Sequence, residues 1–262
     1  FADRVAELVE KHVNINRLLE LTKPVATAVV PISAGRHIYK REPSFPIAVA
    51  CDPAFNFVYE ANIRYLHHLG EVTYFSPLAD TSLPDAGFVY LPGGYPELYL
   101  AAFSANRQML QSIRRYVESG GKLLAECGGM MYLCDEIRDK NGYVYPMAGV
   151  LHQSATMENM KLRLGYRTLL YNETRLKGHE FHYSRLVEQQ NPLPSCAVAY
   201  TAKGVETDTP LYHYKNVWAG YTHLYWADPV GNEWFTKFVI DAILEVCIQI
   251  NKKDENIYAW RR

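Results

Sequence analysis

The sequence predicts an α/β fold: a doubly wound, mostly parallel sheet flanked by helices, with antiparallel additions in the C-terminal half. Three observations carry that expectation. Between residues 46 and 134, short strand-like runs alternate with helical patterns, the signature of parallel strands joined by helical crossovers. Right-handed crossovers place the strand ends along one edge, and three turn-like junctions, Asp52, Pro92-Gly93-Gly94 and Cys127, all fall there. After about Tyr143 the texture changes to shorter runs that suit antiparallel pairing.

Residues 1–22 read as an amphipathic helix, with Val5, Leu8, Val9 and Val13 at helical spacing and Leu18 and Leu19 continuing the pattern beyond Asn14. The stretch Pro31–Pro46 carries three prolines, mixed charge and no period, and reads as a linker. The main domain begins with the buried strand "PIAVACD" (Pro46–Asp52). A helix over about Phe57–Leu69 follows, with Gly70 as its C-cap. "EVTYFSP" and "AGFVYLPGG" are the next strands, a helix spans about Arg107–Ser119, and "GKLLAE" is the fourth strand. The Cys127 turn leads into a helix reaching about Cys134. Beyond Tyr143, "MENMKLRLGYRTLLYNE", "GHEFHYSRLVE", "SCAVAYTA" and "PLYHYKNVWAGYTHLYW" read as short strands, and a closing helix is expected over about Trp234–Ile250.

Composition narrows the function class. The 262 residues are 48% apolar with a formal net charge of −1, enough for a sizeable core and without the basic bias of a nucleic-acid or anionic-membrane binder. No apolar stretch reaches the roughly 18–20 residues of a membrane-spanning helix, and no signal-peptide pattern opens the chain. The five cysteines are scattered and form no CxxC pair, which argues against a disulfide framework or zinc knuckle and for a reducing cytoplasm. Four of them, Cys51, Cys134, Cys196 and Cys247, sit in apolar patterns and read as core.

Cys127 is different. It stands between a strand and the first turn of a helix, with Ala125, Gly128 and Gly129 giving the two elements room to approach. A helix N-terminus offers free N–H groups and partial positive charge, which would lower the thiol pKa and could hold an oxyanion. The reading against it is an inert core cysteine. Gly93 and Gly94 at a neighbouring strand end would let a backbone N–H approach a substrate carbonyl. Of the nine histidines, His223 in "WAGYTHLYWADP" is the candidate base, with a half-buried strand histidine as the alternative. In "GHEFHYS" the two histidines, His179 and His182, are three residues apart where a helical zinc motif needs four, so no metal is expected.

Taken together, "YLPGGYPE", "AECGGMMYL", "GHEFHYSRL" and "GYTHLYW", in that order, resemble the class I glutamine amidotransferase domain of the cobyrinate a,c-diamide synthases, over about residues 46–230. "CDPAFNFVYEANIRYLHHLGEVTYFSPLAD" and "MAGVL" fit the same family. The resemblance implies a flavodoxin-like amidotransferase fold, with Cys127 as nucleophile, His223 as its base, and Gly94 and Gly128 as oxyanion donors. It further implies Gly93, Tyr95, His182 and Tyr183 on the glutamine side; a β-hairpin with satisfied polar groups is the other reading of "GHEFHYS". Superfamily members commonly carry His-x-Glu where this chain has His223-Leu224-Tyr225. Tyr225 would then point where the carboxylate would be, which leaves a Cys127–His223 dyad with Glu126 or Glu180 as candidates for nearby charge.

In that family the domain follows an ATP-binding, dethiobiotin-synthetase-like domain. Residues 1–45 are therefore expected to be the closing helix and linker of such a domain, and residues 46–262 the amidotransferase domain. The implied partners are glutamine, the upstream synthetase domain and a cobyrinate-like tetrapyrrole bound mainly by that domain. No cofactor is expected on these residues, with ATP and Mg2+ belonging to the missing domain; the oligomeric state is left open. The alternatives are a related ligase such as cobyric acid synthase or Ni-sirohydrochlorin a,c-diamide synthase, a stand-alone Cys/His hydrolase, and a non-catalytic docking module.

Overall fold

The computed structural model describes residues 1–22 and 45–239. The chain divides into two compact units, residues 1–42 and 43–262. In the first, α1 (Ala2–His12) and α2 (Ile15–Leu21) stand where one continuous helix is expected. The break has a local cause. The Asn14 side chain accepts a hydrogen bond from the Arg17 N–H at 2.9 Å and so starts a second helix. Most of the linker stretch, and the closing helix beyond residue 239, lie outside the described residues.

The second unit opens with four parallel strands, β1 (Pro46–Ala50), β2 (Glu71–Phe75), β3 (Phe88–Leu91) and β4 (Lys122–Glu126). Shorter strands follow: β5 (Glu136–Arg138), β6 (Val144–Pro146) and β7 (Ser154–Thr156). Then come the hairpin β8 (Arg163–Tyr171) and β9 (Thr174–His182), β10 (Arg185–Leu186), β11 (Val198–Thr201) and β12 (Glu206–Thr207). Last are β13 (Leu211–Tyr214), β14 (Val217–Gly220) and the two-residue β15 (His223–Leu224). The central sheet runs β13-β14-β4-β3-β1-β2, all parallel except the edge strand β13. Two smaller sheets, β10-β7-β5-β6 and β12-β11-β8-β9-β15, account for the change of texture after Tyr143.

The central strands are apolar on both faces. Ala48, Val89, Leu91, Leu123 and Ala125 join one core cluster, while Ile47, Val49, Phe88, Tyr90 and Leu124 join the other. This is the alternation of a sheet covered on both sides. On the first face α4 (Leu100–Ala105) buries Leu100 and Phe103, and α5 (Arg107–Glu118) buries Met109, Leu110, Ile113 and Val117. On the second, α3 (Glu60–Leu69) buries Leu66, and the helical residues 229–239 bring in Trp234, Phe235 and Val239. α3 starts three residues later than expected because Phe57 is used elsewhere: its N–H donates to Gly93 O at 3.0 Å, a bridge to the β3 loop. Gly70 ends α3 with extended backbone, φ −170°. A Cβ there would lie 2.0 Å from Phe45 O, so glycine is required for space. Among the described residues no helix is long and apolar enough to cross a membrane.

Asp52 shows how the functional edge is braced. Its Oδ1 accepts from the Ala54 and Phe55 N–H groups at 2.8 and 3.1 Å. Its Oδ2 accepts from Ser76 Oγ and the Leu78 N–H at 2.9 and 3.1 Å. One carboxylate thus ties the end of β1 to the end of β2.

Candidate active site

Cys127 lies at the turn between β4 and α6 (Gly128–Leu133), with φ 48° and ψ −105°. That backbone region suits glycine and is costly for other residues. Three hydrogen bonds hold it there. The Cys127 N–H donates to Gly220 O at 2.7 Å, the Gly129 N–H to Pro92 O at 3.1 Å, and the Met131 N–H to Cys127 O at 3.0 Å. A methyl group on Gly129 would lie 2.1 Å from Leu91 O, so the missing side chain is what lets α6 sit on the end of β3.

Gly94 has φ +156°, and a Cβ there would lie 2.0 Å from Ala54 O. A methyl on Gly128 would lie 3.2 Å from the Gly94 nitrogen. The β3 loop and the first turn of α6 therefore meet amide to amide. Gly128 N–H is one of the orphan donors of a helix N-terminus. The Gly128 N–H faces the Cys127 sulfur, while among the described residues the Gly94 N–H donates to no backbone acceptor.

His223 arrives from the adjacent strand. β14 runs parallel to β4, Gly220 pairs with Glu126, and three residues later His223 pairs with His179 in β15 and β9. The imidazole is packed between rings: His179 stacks at 5.1 Å and Phe57 lies at 4.4 Å. Its edge faces Gly93, where a Cβ would come within 2.1 Å of Cε1. Gly93 and Gly94 thus seat His223 and Gly128 on consecutive residues. Among the described residues Cys127 and His223 share no hydrogen bond. The sulfur contacts Phe181 O at 3.9 Å, and His223 Nδ1 has no hydrogen-bond partner. The carboxylate beside that nitrogen is Glu126, with Oε2 4.0 Å from Nδ1. Tyr225 lies past the end of β15, partly exposed, and packs edge-on against Tyr59 at 5.6 Å. Glu180 is engaged elsewhere, its Oε2 2.6 Å from Arg167 Nη2.

Burial sets the resting charges. It pushes the Cys127 thiol up to about 12, with the Glu97 carboxylate adding to the effect and the Gly128 N–H opposing it. The thiolate expected from the helix N-terminus is therefore not the resting form. One N–H and a six-residue helix do not offset removal of the sulfur from water. Burial likewise lowers His223 to about 3, aided by His179 and His182, and raises Glu126 to about 8 against its hydrogen bonds from Tyr90 and Leu224. At neutral pH the site holds a neutral thiol and a neutral imidazole.

A narrow cavity opens onto Cys127, lined by Gly94, Tyr95, Glu97, Met131, Met157 and the segment Phe181–Ser184. Tyr95, His182 and Tyr183 line it as the sequence suggests; Gly93 does not, and sits under His223 instead. His182 is fixed by a 2.8 Å hydrogen bond from Nδ1 to Ser184 O and by stacking on Tyr221 at 3.7 Å. "GHEFHYS" does lie on a hairpin, since β8 and β9 pair from Arg163–His182 to Tyr171–Thr174, but its polar groups are not all satisfied: His182 Nε2 is buried with no hydrogen-bond partner among the described residues. Two contributors are not expected from the sequence. Phe57 covers His223, and no motif marks it. Glu97 lies within "YLPGGYPE", where the glycines carry the signal.

Comparison with known proteins matches this geometry. Residues 46–230 fit the model of the CobB/CobQ-like glutamine amidotransferase domain. The chain is 36% identical over 236 residues to a cobyrinate a,c-diamide synthase of Picrophilus torridus, covering 85% of this chain and 49% of that protein. It is 40% identical over 185 residues to a hydrogenobyrinate a,c-diamide synthase of Pseudomonas aeruginosa, covering 68% and 41%. It is 35% identical over 248 residues to a cobyrinate a,c-diamide synthase of Clostridium acetobutylicum, covering 91% and 53%. The chain therefore spans about half the length of these curated relatives. Among solved structures, a GMP synthase subunit from Thermoplasma acidophilum superposes with a TM-score of 0.51 at 15% identity, over 80% of this chain and 99% of that one, a likeness of fold alone. The matched span takes in the strained cysteine elbow, the paired glycines and His223 at once, and the chain belongs to the CobB/CobQ-like glutamine amidotransferase family.

Proposed function

We propose that this chain is a glutaminase unit that splits glutamine through a Cys127 thioester and supplies ammonia to an amide ligase. The observation that carries the reading is the meeting of Gly94 and Gly128 beside a cysteine held at φ 48°. The Gly94 N–H and the Gly128 N–H, the second facing the sulfur, flank Cys127 at the rim of a parallel sheet. The side-chain amide of glutamine enters the cavity, and Cys127 Sγ attacks its carbonyl carbon as the thiol proton passes to His223. The Gly94 and Gly128 N–H groups hold the tetrahedral oxyanion, each worth ~3–4 kcal/mol in a site of this kind. Collapse breaks the C–N bond, and His223 returns the proton to the departing ammonia. Water attacks the thioester and releases glutamate. Because thiol and imidazole both rest neutral, proton transfer accompanies attack rather than preceding it.

The names of the relatives support a specific destination for the ammonia: the a and c carboxylates of a cobyrinate-type tetrapyrrole, activated with ATP. On this reading ATP and magnesium belong to the half of the relatives' length that this chain does not span, residues 1–45 close and link that upstream domain, and residues 46–262 are the amidotransferase domain. The reaction is one of cytoplasmic cobalamin biosynthesis.

Incubation of the full chain with 6-diazo-5-oxo-norleucine, followed by peptide mass spectrometry, tests the reading. A single adduct on Cys127, with glutamate release abolished in Cys127→Ala, is expected. Labelling instead of Cys51, which lies exposed and not in the core that its apolar surroundings suggest, or hydrolysis that survives Cys127→Ala, removes the proposal.

A further inference from the structure

The His223 imidazole has a buried nitrogen with nothing bonded to it. Nδ1 has no hydrogen-bond partner, in a residue only 3% exposed. Leaving such a group unpaired costs ~1–3 kcal/mol. The nearest carboxylate is Glu126, itself 2% exposed and 4.0 Å away. Glu126 is fixed from two sides. Its Oε2 accepts from Tyr90 OH at 2.6 Å, and its Oε1 accepts from the Leu224 N–H at 3.0 Å. Leu224 follows His223 directly, and Glu126 directly precedes Cys127. Among the described residues no arginine or lysine is paired with Glu126, so its burial is not repaid by an ion pair. A carboxylate kept there at such a cost has a use beyond packing.

We propose that Glu126 is the positioning residue of this site, holding the His223 ring through Nδ1 and leaving Nε2 as the nitrogen that exchanges a proton with Cys127. The inference rests on the glutaminase reading. Its logic is tautomeric. A carboxylate can only accept, so it selects the imidazole with hydrogen on Nδ1 and a lone pair on Nε2, which is the form able to take the thiol proton. A protonated Glu126 can donate to Nδ1, which selects the opposite, unproductive tautomer. The 4.0 Å gap closes with a small ring shift, as catalytic hydrogen bonds do when substrate binds. Once His223 is charged, the same carboxylate stabilises the imidazolium that the surrounding apolar rings disfavour.

The titratable groups facing the pair are Tyr90 and Tyr59 on the carboxylate side, and Cys127, His179, His182 and Glu180 around the imidazole. The tyrosines do not ionise below pH 10, since burial raises both Tyr59 and Tyr90. Loss of the Glu126 proton is then the step that switches the tautomer, and the glutaminase rate rises as pH passes upward through its pKa.

The test measures kcat and KM for glutamine across the pH range in the full chain and in Glu126→Gln, and reads the His223 tautomer by 15N NMR of the wild type. The expected result is a kcat lowered roughly tenfold or more in Glu126→Gln, because an amide can hold the wrong tautomer. KM stays nearly unchanged, the alkaline rise in rate is lost, and Glu126→Asp restores part of the rise. The wild type shows hydrogen on Nδ1 above the transition. A folded Glu126→Gln variant with unaltered kcat and pH profile overturns the proposal. If that variant does not fold, the wild-type tautomer decides: hydrogen on Nε2 at every pH overturns it. A wild type that neither splits glutamine nor labels at Cys127 defeats the glutaminase reading instead, and the tautomer measurement still judges the Glu126–His223 relationship.

Discussion

Gly128 approaches Gly94 so closely that a methyl group on the first would lie 3.2 Å from the amide nitrogen of the second and 2.8 Å from Pro96 Cδ. Gly128→Ala therefore wedges apart the two N–H groups proposed to hold the oxyanion. We expect glutaminase kcat to fall by about 10²–10³, the loss typical of one such donor, with KM little changed. Steady-state assays of glutamate release check this.

Gly93→Ala attacks the other half of the site. Its methyl would lie 2.1 Å from His223 Cε1, so the ring must leave its slot between Phe57 and His179. Hydrolysis should be lost while the protein stays folded, with a far-UV circular dichroism spectrum like that of the wild type. Activity near wild type would show that His223 has no part in the chemistry.

The elbow predicts a gain of stability on removing the nucleophile. Cys127 holds φ 48°, ψ −105°, a conformation costing ~1–3 kcal/mol for a residue with a Cβ. Cys127→Gly should be more stable than Cys127→Ala by about 1 kcal/mol, read as denaturant midpoints of the two inactive variants. The reverse order would mean that the backbone there is unstrained.

Glu126 also makes stability pH-dependent. Its folded pKa, about 8, lies above the unfolded value near 4.5, so the folded state binds more protons between those limits. Stability falls as pH rises from about 4.5 through 8 by this group alone. His223 acts in the opposite sense. With a folded value of about 3 against 6.5 unfolded, it weakens the fold as pH drops from 6.5 toward 3. In Glu126→Gln the decline in melting temperature between pH 6 and 9 should flatten.

Much of this site is legible in the residues, and the reasons are local. Ala-Glu-Cys-Gly-Gly at a strand–helix junction dictates an elbow because only small neighbours let α6 approach β3, and the Gly129 contact with Leu91 O bears this out. The alternation of strands and helices likewise implies the central sheet. What escapes the sequence is set by distant packing. The flanks of Phe57 suit a helix, but the Gly93 bridge draws it out to cover His223. Strand periodicity places Tyr225 beside His223, but β15 ends at Leu224 and that periodicity ends with it. The sequence offers Glu126 and Glu180 equally as charge near the dyad; only the fold separates them, because the meeting of Glu126 with His223 joins residues 97 positions apart while Glu180 pairs with Arg167. The place of the thiol at a helix start suggests that it ionises, whereas the walls that keep it neutral come from Glu97, Phe181 and His182.

A cysteine only 5% exposed and protonated at rest has a consequence for its chemical lifetime. Peroxide and stray electrophiles consume thiolates far faster than thiols, so the buried, protonated Cys127 is shielded from passing oxidants. On the proposed mechanism the proton leaves only as glutamine is attacked, which makes selectivity and self-preservation two results of the same closed door.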